Sequence, residues 1–87
     1  MLRSDMPPST AAMPAGASAR MLCHLGMLYC LGQEVEQDYV AAQKWFSIAA
    51  FMGSTEARHY RCQISRAMTA SQIAEAQSQA WALISLN

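Results

Sequence analysis

The candidates for chemistry on a substrate in this 87-residue chain are Cys23, His24, Asp38, His59 and Cys62. Catalysis needs a nucleophile, a base and an orienting group that converge. Cys23 and His24 are neighbours and, on a helix, point about 100° apart. His59-x-x-Cys62 puts two metal-ligand types on one helical face but has no matching second pair, so it is half a zinc site. Asp38 precedes a helical stretch and suits an N-cap, where a carboxylate accepts from free amides and meets the positive end of the helix dipole. Gly26 and Gly32 follow no strand and precede no Gly-Lys-Ser/Thr, which excludes a phosphate-cradling loop. The expectation is therefore a non-enzyme, with no catalytic residue, cofactor or metal site.

The elements that carry these residues are helical. From Ala19 to about Leu31 the chain is apolar nearly all round, with Leu22, Leu25 and Tyr29 on one stripe, and Gly32 suits the left-handed turn that ends helices. Ser18 is placed to cap this helix. Gln33 to Gln37 form an acidic loop, and a second helix from Tyr39 to Met52 carries Ala42, Trp45, Phe46 and Ala49 at helical spacing before Gly53. Trp45 and Tyr29 read as interhelix core. Ser54 caps a third helix, with Glu56 in its first turn and Ala57, Tyr60 and Ile64 facing inward. Thr69-x-x-Gln72 has the form of a capping box opening a fourth helix, with Ile73, Ala76, Ala80 and Leu83 inward and Trp81 alongside.

The order Ala19, Leu25-Gly26, Tyr29, Gly32, Val35, Asp38, Ala42, Trp45, Ala49-Ala50, Gly53 and Ala57 resembles the signature of the Sel-one-like repeat, a tetratricopeptide relative found in many bacterial and some eukaryotic proteins. The resemblance covers a little under half the chain. It departs at Glu34, where the family usually has a second glycine, so a left-handed loop here must seat a side chain at a steric cost. The ending Met68-Thr69 with Gln72-Ile73-Ala74-Glu75-Ala76 is similar to that of bacterial members. The resemblance implies an all-α fold of antiparallel helix pairs in an α-solenoid, a right-handed superhelix of about four helices. It implies a repeat domain over 18–87, divided into one full repeat at 19–53 and a degenerate second repeat with a capping helix at 54–87, preceded by 1–17, whose composition is that of a flexible tail.

The resemblance also implies a scaffold or adaptor that binds another protein or peptide. In such repeats the first helix of each pair lines the concave side, which would present Arg20, Cys23, Met27 and Cys30 beside Arg58, Arg61, Ser65 and Met68. That surface would be a small groove with arginines at one end, suited to an extended acidic or amphipathic peptide. A solenoid of one and a half units leaves the outer side of its first helix open, so self-association, a bound partner or missing upstream repeats is expected. The alternative function is a structural or regulatory subunit that dimerises or caps a longer array.

Composition bounds the rest. The apolar share is 53%, enough for one small helical core, and six basic side chains balance six acidic ones, which disfavours nucleic acid and anionic membranes as partners. The run from Met21 to Leu31 falls short of the ~20 residues needed to span a bilayer. Three cysteines are an odd number, and Cys23 and Cys30, about 10 Å apart along one helix, cannot pair while it is intact. Free thiols point to a reducing, cytoplasmic setting. Residues 1–17, rich in Pro, Ala, Ser, Thr and Met, bury too little to order themselves. A signal ending at Ala17-Ser18-Ala19 is the alternative, opposed by Pro7, Pro8 and Pro14. Met6, Met13 and Met21 also admit a different start, or a longer product of which this is the tail.

Overall fold

The computed structural model describes residues 17–86, so all but Ala17 of the expected tail, with its signal alternative, lies outside the described residues. Four α-helices follow one another: α1 (Ala19–Leu31), α2 (Tyr39–Phe51), α3 (Thr55–Ser65) and α4 (Ala70–Leu86), with no strand among the described residues. The architecture is all-α.

Each start is set by a side chain that satisfies amides the first turn leaves without partners. Ser18 Oγ accepts from the Met21 amide at 3.2 Å, Asp38 Oδ1 from Ala41 at 3.1 Å, and Ser54 Oγ from Ala57 at 3.0 Å. At α4 the box closes from both sides. The Gln72 amide donates to Thr69 Oγ1 at 3.1 Å, and the Thr69 amide donates to Gln72 Oε1 at 2.9 Å.

The α1–α2 turn is where sequence and geometry meet most closely. Gly32 sits at φ 70°, and Glu34 at φ 65°, so the loop keeps a left-handed conformation at Glu34 although a side chain stands there. Three hydrogen bonds hold the loop to the end of α1. The Gln33 amide donates to the Leu28 carbonyl and the Asp38 amide to the Tyr29 carbonyl, both at 3.0 Å, and Gln37 Nε2 donates to the Cys30 carbonyl at 2.9 Å. The start of α2 is thus tied to the end of α1, and the helix midpoints meet at Gly26 and Phe46, so the two run antiparallel. A Cβ on Gly26 would lie 2.7 Å from the Phe46 ring, closer than atoms tolerate. Glycine is what lets the two backbones come this near.

Helix α2 is the centre of the molecule. It packs against α1, α3 and α4, whereas α3 and α4 scarcely touch each other. Every residue from Ala41 to Ala49 is buried, Trp45 and Phe46 among them, and Phe46 stacks on Tyr60 with ring centroids 5.5 Å apart. The expected inward stripes of α3 and α4 face the same core: Ala57, Ala76 and Ala80 are buried, with Tyr60, Ile64 and Leu83 half-buried.

Enclosure on three sides buries two long polar side chains, Gln43 and Lys44. Lys44 lays its stem inward and brings Nζ to 4.6 Å from the Trp45 ring centroid, a cation–π contact. Burial lowers the Lys44 pKa from its ordinary 10.5, and the Asp38 carboxylate pulls it partly back.

Candidate interaction surface

The residues able to do covalent or acid–base chemistry lie in separate settings. Asp38 is occupied as the α2 cap. Cys23 is only 7% exposed, and burial raises its thiol pKa from 9.0, with the Ser54 hydroxyl opposing and the Glu56 carboxylate adding to the rise. His24 stands exposed on α1. His59 and Cys62 are exposed on α3, with the His59 ring tilted against Tyr60 at 6.0 Å. Among the described residues no three His, Cys, Asp or Glu side chains are grouped closely enough to hold a metal ion. The cysteines are unpaired.

The expected groove is redistributed by the structure. Cys23 faces the core instead of the open side, and Met27 and Cys30 are half-buried against the core cluster, which raises the Cys30 thiol as well. Met68 is buried and the Ser65 hydroxyl donates to the Cys62 carbonyl at 2.7 Å. The physical reason lies in α1, which is apolar on nearly every side. The close approach at Gly26 sets its roll, and Cys23 is turned inward beside the Ser54 hydroxyl.

The arginines separate too. Arg20 borders a hollow with Ala19, Gly53, Ser54, Thr55 and Glu56. Arg58 and Arg61 line a different space, a cleft of about 300 Å³ between α3 and α4. Ser47, Ala50 and Phe51 of α2 and Gln77, Ala80, Trp81 and Ile84 of α4 complete that cleft. It exists because α3 and α4 both dock on α2 without closing on each other.

Two aromatic residues mark the mouth of this cleft. Phe51 and Trp81 are 63% and 60% exposed, and their rings meet edge to face at 6.2 Å. At the floor, Ser47 is buried and its hydroxyl has no hydrogen-bond partner among the described residues. Among the described residues no acidic side chain lines the cleft. Of its members only Arg58 and Arg61 are expected from the sequence to bind a partner, while Ala50, Ala80 and Trp81 read as helix-packing residues. Trp81 carries a legible signal, an indole one step off the alanine stripe of its helix, whereas Phe51 stands in the last turn of α2 with no pattern to mark it.

A second open surface lies on the outer side of α1, where Ala17, Met21, Leu25 and Leu28 with Arg20 and His24 border an apolar hollow. Met21 and Leu31 are among the most exposed large apolar side chains described. None of the described helices is long and apolar enough to cross a membrane.

In comparisons with protein-family models, with curated proteins and with solved structures, nothing matches the chain.

Proposed function

We propose that this chain is a non-catalytic protein-binding module, a short tetratricopeptide-like solenoid of the Sel-one-like type that acts by contact alone. The observation that carries the reading is the cleft between α3 and α4, which combines two arginines with two exposed aromatic rings on a rigid helical floor. Arginine and tryptophan are the residue types that most often dominate protein interfaces. The resemblance in the first helix pair supports the solenoid. So does the antiparallel packing of α1 on α2 with glycine at the crossing, and so does the contact of α2 with both following helices. The scattered placement of Cys23, His24, Asp38, His59 and Cys62 supports a role without turnover. Three unpaired thiols support a reducing, cytoplasmic setting.

A second reading, self-association or capping of a longer array, is favoured by the apolar hollow on the outer side of α1, the flank on which another helix pair would stack. Site-directed photocrosslinking separates the two. A benzophenone-bearing residue in place of Trp81 is expected to capture a different protein in cells, and one in place of Met21 to capture a second copy under the alternative. Light scattering that gives a concentration-independent monomer supports the first reading. Obligate dimers, together with no capture of another protein from position 81, would replace it with the second.

A further inference from the structure

Resting on the reading of the chain as a binding module, we propose that the α3–α4 cleft takes a single apolar side chain flanked by carboxylates, presented by an acidic segment of a partner protein. Arg58 and Arg61 stand three positions apart on α3, which puts them on one face about 4.5 Å apart along the axis. Among the described residues no acidic group lines the cleft, so the two charges there stand together without a carboxylate, in a chain that is neutral overall. Guanidinium groups so placed bind carboxylates through paired, charge-assisted hydrogen bonds.

The opposite wall asks for something apolar. Phe51 and Trp81 hold a ring pair against water at the cleft mouth, and an inserted aromatic or branched aliphatic side chain would remove both from solvent at once. Size narrows the choice. About 300 Å³ lies at the lower edge of ligand pockets, room for one side chain and its adjoining backbone. Nucleic acid is a poorer fit, since two cations give only a weak phosphate contribution to affinity.

The test uses the two tryptophans as separate reporters. Trp45 is buried in the core and Trp81 stands at the cleft. The probe is an acetylated, amidated heptapeptide with a central phenylalanine between two glutamates on each side. Titration of the full chain is expected to shift Trp81 emission to the blue and protect it from iodide. The expected Kd is on the order of 100 µM, weakening as salt is raised. Replacing the glutamates by glutamines, replacing the phenylalanine by alanine, or introducing Arg58→Glu with Arg61→Glu is each expected to weaken binding about tenfold or more. Arg58 is exposed and Arg61 half-buried, and unchanged Trp45 emission and helical circular dichroism verify that the double variant stays folded.

Binding equal in the double variant and the wild type would overturn the proposal, as would no binding at millimolar peptide. Equal or tighter binding of a ten-residue oligothymidylate, or of phosphatidylserine vesicles, would overturn it in favour of those ligands. If these peptides fail while position 81 still captures a protein in cells, the module stands and the acidic-peptide chemistry falls.

Discussion

The two halves of this molecule use the same element and reach opposite results. Helices α1 and α2 are fastened along their length: Gly26 meets Phe46, three hydrogen bonds tie the loop back, and Leu22 and Tyr29 of α1 and Trp45 and Phe46 of α2 are buried in one core. Helices α3 and α4 share a short connection and a well-formed capping box, yet they hardly meet. The difference is in how many apolar faces each helix carries. Ala41 to Ala49 is mostly apolar around the full turn, so α2 holds three neighbours, whereas α3 fully buries only Ala57, and α4 only Ala76 and Ala80. A helix with one narrow stripe satisfies it on one partner. Both α3 and α4 satisfy theirs on α2, and the space left between them is the cleft.

Substitutions can break or sharpen that contrast. The largest effect is expected at Phe46, which touches Gly26 on one side and Tyr60 on the other. Phe46→Ala should cost about 3–5 kcal/mol in urea unfolding and loosen both halves together. A loss below about 1 kcal/mol would show that α2 is not the common centre. Gly26→Val strikes the first pair directly and should cost about 2–3 kcal/mol through overpacking, with Phe46→Leu in the same chain recovering part of it. Thr69→Ala removes one side of the α4 box and should cost about 1 kcal/mol, with hydrogen exchange speeding up at the start of α4 and unchanged in α1 and α2.

Alkaline pH probes the first pair by a different route. Burial raises the Cys23 and Cys30 thiols from 9.0 and the Tyr29 phenol from 10.0, Asp38 adding to the rise at Tyr29. Each is therefore neutral in the fold at a pH where it ionises in the unfolded chain. The stability they contribute is complete below the ordinary values and is lost as pH climbs through the raised ones. Lys44 works in the other sense. Its lowered pKa leaves the unfolded chain with the extra proton between the lowered value and 10.5, so stability recovers across that interval. The melting temperature should fall above about pH 9. It should fall less in Cys23→Ala with Cys30→Ala, and more steeply in Lys44→Met. The smallest effect is expected at the loop: Glu34→Gly relieves a left-handed residue and should add about 0.5 kcal/mol after the entropy of the added glycine is counted.

The local signals were legible because each is decided within a few residues. Ser18, Asp38, Ser54 and the Thr69–Gln72 pair stand where the helices start, Gly32 takes the left-handed turn, and Trp45 is inside. What could not be read depends on rotation between elements. Helix α1 is apolar on nearly all sides, so periodicity cannot say whether Cys23 or Leu25 points inward, and packing near Ser54 buries Cys23. Placing Arg58 and Arg61 next to the α1 row assumed that α3 repeats the seating of α1. The two helices touch only sparingly, and the arginines open toward α4. Lys44 escaped notice for a related reason, since a lysine is read as solvated until three neighbours are seen to enclose its helix.

The burial of Cys23 has a practical sequel. Its thiol, that of Cys30 and that of Cys62 sit at three depths, buried, half-buried and exposed. An alkylating reagent added to the native chain would tag the outermost at once and reach the innermost only when the first helix lifts away. Timed mass spectra would then give the order in which the layers come apart, with no substitution made in the chain.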